Sequence, residues 1–432
     1  MPHRPRSPNP RRRWGERPRV ALLLLLATAP AIGRASAQGL TPAPADTLSL
    51  GTAIRAALEG TPAARMIDGR AEIGRGRARQ DAQWTNPMVD FRRENIGSPL
   101  LPDVFTTLYL PFDPTRRRAA FRRAATAGVA RAGSDRDAER QQLAWSVAQA
   151  FFRALLTQEA RETAARRRSA LEALAAFDSV RAREGAVAEV IAMRARLEAD
   201  RARAQEAQAI AEESRERQAL ARWLGRPAAH LGALAPLLPP DALGPLDDVE
   251  RLVADALRDR AEVRARREAL AEATARSRAE ARGALPEWQL QGGSKRTSGI
   301  TTAQLGVLVP LPLFHRNDAA RERARGEERV ADAELRDTET RVRGEVLAAV
   351  AAYDALRASR PERSSTFAAR GAEIAAIVRT AYREGAATLV ELLDAERAEA
   401  EARLSAIQWM IDLHRARLDV TYARGQSLLE WR

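Results

Sequence analysis

The chain has no cysteine in its 432 residues. Disulfides, thiolate metal sites, cysteine nucleophiles and a lipid-bearing N-terminal cysteine are thereby excluded. Aromatic residues make up only 5 %, against 29 % charged, the balance of long surface-charged helices more than of a compact mixed core. Four histidines, His3, His230, His315 and His414, are scattered without the spacing of a metal site. No Ser-His-Asp set, phosphate loop or dinucleotide fingerprint stands out, so no enzymatic activity, cofactor or bound metal is expected. Beyond residue 37 no run of 18 apolar residues occurs. A membrane would have to be entered by strands, not helices.

The formal charge of +13 invites a nucleic-acid reading. More than half of that excess lies in residues 1–37, where eight arginines face Glu16 alone. In the remainder arginines alternate with acids, as in RARLEADRARAQE (194–206), the pattern of a solvated helix face. No nucleic-acid partner is expected. The arginine-rich start leads into VALLLLLATAPAI (20–32) and then ASA (35–37). A charged region, a short apolar run and a small-x-small cleavage site read as a signal peptide over 1–37. The mature chain is then expected outside the cytoplasm.

What the chain has in abundance is repetition. REGAVAEVIAMRARLEAD (183–200) returns as REGAATLVELLDAERAEA (383–400). Alanine and arginine matches are cheap in this composition, but rarer residues keep the same offset. Gly185 pairs with Gly385 and Gly225 with Gly425 at 200, while Pro87 pairs with Pro286 and Pro111 with Pro310 at 199. A duplicated unit of about 200 residues, far longer than a solenoid repeat, divides the chain into 38–240 and 241–432.

Each unit begins with a helical stretch, 47–83 or 246–283. A proline follows, then two strand-like runs: 88–96 and 104–111 in the first unit, 287–295 and 302–310 in the second. TAQLGVLV (302–309) alternates small or polar with apolar residues, the period of a strand with two unlike faces. GSPLLPD (97–103) and RTSGIT (296–301) supply turns. Long helical patterns come next, 114–182 and 313–382, the second interrupted by Pro361. Each ends at an REGA turn, near 185 or 385, and a return helix follows. Leu404, Ile407, Ile411, His414, Leu418 and Thr421 step by threes and fours, as in a heptad seam. Four strands cannot close a barrel, and open edges are forbidden in lipid. Three copies would pool twelve, an even number in the outer-membrane range.

Taken in order, LSLGTAIRAALEGTP (48–62), TNPMVDFRRENIG, VLVPLPLFHRNDAAR (307–321) and YREGAATLVELLDAERAEAEARL (382–404) resemble the TolC family of outer-membrane efflux proteins over 47–425. NPMVDFRRENIG and PLPLFHRN are most similar to its heavy-metal cation branch. PTRRR (114–118) departs from the glycine-lysine-arginine element that branch often carries. The resemblance implies a mainly α fold with a small β part, each unit a β-hairpin plus a long coiled-coil helical hairpin. It further implies a homotrimer forming a twelve-stranded barrel through outer-membrane lipid and a periplasmic α-helical tunnel. Such a protein is the passive exit duct for small molecules or metal cations. Its partners would be a periplasmic adaptor and an inner-membrane pump of the RND type.

The resemblance also implies a gate and a docking tip. Acids just after the second turn face the tunnel axis, which assigns that role to Glu391 and Asp394, three apart on one helix face. Rings of three carboxylates would attract cations and raise one another's pKa. The plainer reading is two acids in the first turn of a helix, where they favour the dipole. Tyr382 matches the family's latch tyrosine, while Ala387 and Ile191 replace its arginine and acid, leaving the latch incomplete. Gly185, Ala186, Gly385 and Ala386 would meet the adaptor. The rival is a secreted soluble coiled-coil scaffold or periplasmic adaptor, which accounts for the helices but not for paired alternating strands in both units.

Overall fold

The computed structural model describes residues 47–430, apart from positions 81, 98, 100, 285, 286, 312, 315 and 360–364. The expected leader, His3, His315 and Pro361 lie outside the described residues.

Local chemistry sets the first elements. Ser49 accepts the amide of Thr52 and opens α1 (Leu50–Leu58). α2 (Pro62–Gln80) follows. The stretch expected as one helix over 47–83 is therefore two. Gly60 turns the chain at a left-handed φ of 83°, and Pro62 restarts it at the first helical position, where a missing N–H is harmless. The second half breaks at the equivalent place by other means. Asp248 caps α5 (Val249–Asp259), and an extended Arg260 separates it from α6 (Ala261–Ala281). Arg260 is only 3 % exposed, a burial tolerated because Glu262 and Glu345 both pair with it.

The strands are β1 (Met88–Glu94), β2 (Asp103–Phe112), β3 (Trp288–Thr297) and β4 (Ile300–Leu308). They form one antiparallel sheet in the order β1-β2-β3-β4, so the two halves meet through β2 and β3. The β3–β4 hairpin is tighter than RTSGIT suggests. Ser298 and Gly299, at φ 50° and 85°, form a two-residue turn, and both strands extend into the segment expected as a loop.

The first outgoing helix, α3 (Arg117–Arg183), has 67 residues and so spans about 100 Å. α4 (Glu189–Leu224) returns along it. The second outgoing segment, expected as a helix from 313, begins at Asp318 and is split into α7 (Asp318–Ala358) and α8 (Ser365–Arg383); α9 (Leu389–Ala423) returns.

Two cores hold the middle of the molecule. Ile54, Phe151, Leu155 and Leu220 centre one between α1, α3, α4 and α9. Leu252, Val342, Val346, Tyr353 and Leu413 centre the other between α5, α7 and α9. The expected single seam on α9 is accordingly two faces. Ile411 and Leu418 join the first core, and Trp409, Leu413 and Val420 the second. His414 is 1 % exposed, with Nε2 2.9 Å from the carbonyl of Leu238. Burial lowers its pKa, which keeps it a neutral core group.

Candidate functional site

Facing residues in adjacent strands share a face of the sheet, and the register separates two surfaces of opposite character. Asp90, Thr107, Gly293 and Gln304 align across the four strands, as do Arg92, Phe105, Lys295 and Thr302. This polar face is crowded. Thr107 is 5 % exposed, Gln304 donates to its hydroxyl at 2.7 Å, and Arg92 pairs with Asp90 at 3.2 Å. The other face carries Val89, Leu108, Gly292 and Leu305 in one row and Leu110, Leu290 and Val307 in the next. It is the solvent-facing one: Leu305 is 82 % exposed, Phe91 68 % and Val89 64 %. On the inner strands β2 and β3 the polar side is the more crowded and the apolar side the more bare, while on the outer strands Met88, Ile300 and Leu308 of the polar side are exposed as well. Its outer edges, β1 and β4, have no described strand beside them.

At the far end of the molecule the two REGA turns have matching geometry. Gly185 and Gly385 adopt φ 74° and 80°. Ala186 donates to the carbonyl of Arg181 and Ala386 to that of Ala381, each at 2.8 Å, the 6→1 bond that closes a helix C-terminus. Only a glycine enters this conformation without strain. Gly185, Ala186, Gly385 and Ala386 are all exposed, and a Cβ on either glycine would meet nothing within 4 Å.

Above the turns the hairpins are joined. Tyr382 on α8 donates to the carboxylate of Asp178 on α3, 2.8 Å from both oxygens. Asp178 is wholly buried, and Arg181 lies 3.7 Å from it, its guanidinium 5.8 Å from the centre of the Tyr382 ring. Burial first, and the neighbouring carboxylate second, hold the Tyr382 phenol far above its ordinary pKa. Leu171, Leu174, Ala195, Leu389 and Leu392 pack around the pair, with Ile191 and Ala387 against them. Ile191 brings no acid to Tyr382; the carboxylate it meets is that of Asp178, before the first turn. Two signals for this stood in the sequence. Asp178 follows Leu171 and Leu174 at helical spacing, a charge in an otherwise apolar seam, and it lies seven residues before Gly185 as Tyr382 lies three before Gly385.

Glu391 and Asp394 are both exposed on the first turns of α9. Glu391 accepts the amide of Thr388 at 2.7 Å, while the Thr388 side chain accepts the amide of Glu391. This is a capping box, and its Thr-x-x-Glu signature is readable in TLVE (388–391). The bond from the Thr388 N–H lowers the Glu391 pKa, opposite to the rise expected from neighbouring carboxylates; within one chain the helix cap dominates. Asp394 pairs with Arg397 at 2.9 Å. Farther along, Arg379 holds the buried Glu396 through two bonds of 2.6 and 2.8 Å, tying α8 to α9. Among the described residues no His, Cys, Asp and Glu side chains converge as a metal-ligand set, and none of the described helices is long and apolar enough to cross a membrane.

Residues 252–426 match the family model for outer membrane efflux proteins. A search of curated proteins returns no match. Among solved structures the chain is similar to the outer membrane protein VceC of Vibrio cholerae, at 19 % identity and a TM-score of 0.71, over 88 % of this chain and 96 % of that one. It is likewise similar to the CmeC outer membrane channel of Campylobacter jejuni, at 16 % identity and a TM-score of 0.73, over 87 % and 85 %. The open-state MtrE outer membrane channel of Neisseria gonorrhoeae matches at 22 % identity and a TM-score of 0.68, over 88 % and 89 %.

Proposed function

We propose that this chain is an outer membrane efflux protein and works as a homotrimer. The chain has the mainly helical, TolC-like fold of these channels and is an outer-membrane exit duct. One observation carries the trimer: a four-stranded sheet with a bare apolar face, a crowded polar face and two open edges. In lipid every backbone N–H and C=O must be paired. Three sheets joined edge to edge satisfy them all, with Leu305, Phe91 and Val89 toward lipid and Asp90, Arg92 and Gln304 toward water. A soluble scaffold has no use for that apolar face.

Each copy would add two helical hairpins to a tunnel across the periplasm. The duct would be passive, energy coming from an inner-membrane pump of the RND type through an adaptor gripping the tips at Gly185–Ala186 and Gly385–Ala386. Cargo would be small molecules or metal cations. Glu391 and Asp394 would form acidic rings at the narrow end, favouring cations, and the Tyr382–Asp178 bond would hold the hairpins of each copy together in the closed state. The decisive measurement is migration of membrane-fraction protein on a gel, with and without heating. A species of three times the chain mass that collapses on boiling is expected; a monomer recovered in the soluble fraction would refute the duct.

A further inference from the structure

The apolar face of the sheet ends in a row of a different kind. Arg93 on β1, Val104 on β2, Arg296 on β3 and Thr301 on β4 are aligned by the register. Arg93 and Arg296 therefore point from the same face as Val89, Leu108 and Leu305, two strand spacings or about 10 Å apart. Both are exposed, and neither makes an ion pair or hydrogen bond among the described residues. The other two cations of the strands are engaged: Arg92 with Asp90 and Glu94, and Lys295 over the Phe105 ring.

Position decides what such a row faces. At the helical end of the same face, Trp288 pairs with Phe112, an aromatic pair suited to a membrane interface. Eight residues separate Trp288 from Arg296. At about 3.3 Å per residue and a tilt near 40°, that places the arginines about 20 Å farther along the membrane normal. The bacterial outer membrane is thinner than average, so the guanidinium groups reach the opposite polar boundary, where a lipid-facing arginine is tolerated. The hydroxyls of Thr106 and Ser294 lie one row below on the same face.

We propose that Arg93 and Arg296 form a seat for the phosphate groups of a phosphorylated glycolipid in the outer leaflet, with the Val89, Phe91, Leu108 and Leu305 surface covered by its acyl chains. The inference rests on the barrel reading above. Planar guanidinium groups engage phosphate oxygens in pairs, and a phosphate without acyl chains would forgo the adjoining apolar surface.

The test uses the full-length protein in detergent, titrated with lipopolysaccharide while binding and the heat-dissociation of the oligomer are followed. R93Q/R296Q is expected to bind about 30-fold more weakly, roughly tenfold or less per charge removed, with its cold-gel trimer unchanged. R93K/R296K, which keeps the charge but loses the paired N–H contacts, is expected to bind between wild type and R93Q/R296Q. Phosphatidylglycerol vesicles and inorganic phosphate are the competitors, and neither is expected to displace the glycolipid at equal concentration. Equal binding by wild type and R93Q/R296Q with trimers intact would overturn the lipid seat alone, as would displacement by inorganic phosphate, which would mark a simple anion site. Absence of a trimer in the wild type would overturn the barrel and the seat together.

Discussion

The hydroxyl of Tyr382 and the carboxylate of Asp178, 204 positions apart, meet at 2.8 Å in the buried heart of the helical tip. This single hydrogen bond joins the outgoing helix of one hairpin to that of the other. Its location beside the turns makes it the contact that must break if the two hairpins splay.

Tyr382→Phe keeps the ring and removes the donor. Asp178 would then rely on Arg181 alone, and a buried acceptor left short of a partner costs about 2 kcal/mol. Lower thermal stability of the tip and more frequent wide openings in planar-bilayer recordings are expected. Conductance identical to wild type would show that the bond plays no part in closure.

The same bond has a pH signature. The folded pKa of Tyr382 is raised, so its contribution is fully present below the ordinary tyrosine value of about 10 and fades as pH climbs from there toward the folded value. The stability difference between wild type and Tyr382→Phe should be constant from neutral pH to about 9 and shrink above it, as followed by thermal melts at stepped pH.

Glu391 has the opposite sign. Its pKa is lowered by the Thr388 amide, so its capping contribution is present above the ordinary glutamate value of about 4.3 and lost as pH falls below it. Glu391→Gln should melt below wild type at pH 7 and approach it at acid pH. Glu391→Ala with Asp394→Ala should also widen conductance and lessen block by divalent cations. Unchanged bilayer currents in the double variant would remove both residues from the gate.

At the tips, Ala186→Arg and Ala386→Arg place bulk on exposed positions that bear no packing. Trimer yield and melting should match wild type while efflux in cells is abolished. Retained efflux, measured by accumulation of a dye substrate, would move the adaptor contact elsewhere.

Gly293 sits in the middle of β3, where a Cβ would lie 2.0 Å from the Thr106 carbonyl oxygen. Gly293→Val cannot keep the β2–β3 ladder, and the heat-dissociable band should disappear. A normal band would mean that this pairing is not what joins the two halves in the membrane.

Much of the architecture was legible because it is encoded at short range. The alternation in TAQLGVLV marks a two-faced strand, and the glycines at 185 and 385 mark turns that need a left-handed residue. Both readings use only neighbours within a few positions. The helix breaks at Gly60 and Arg260 were less visible, since an extended arginine carries no signal until its acidic partners at 262 and 345 are in place. The capping role of Glu391 was written in Thr388-x-x-Glu391 but yielded to the larger role suggested by resemblance.

By itself the amino-acid sequence determined the local elements, their duplication and the unlike faces of the strands, because periodicity and turn chemistry act through the adjacent backbone. Only the tertiary structure decided that β2 pairs with β3, that α9 is buried on both sides, that Asp178 receives Tyr382, and that Arg93 and Arg296 share a row. Those relationships join residues as much as 204 positions apart. Their register depends on how whole helices and strands pack, which no short stretch of sequence specifies.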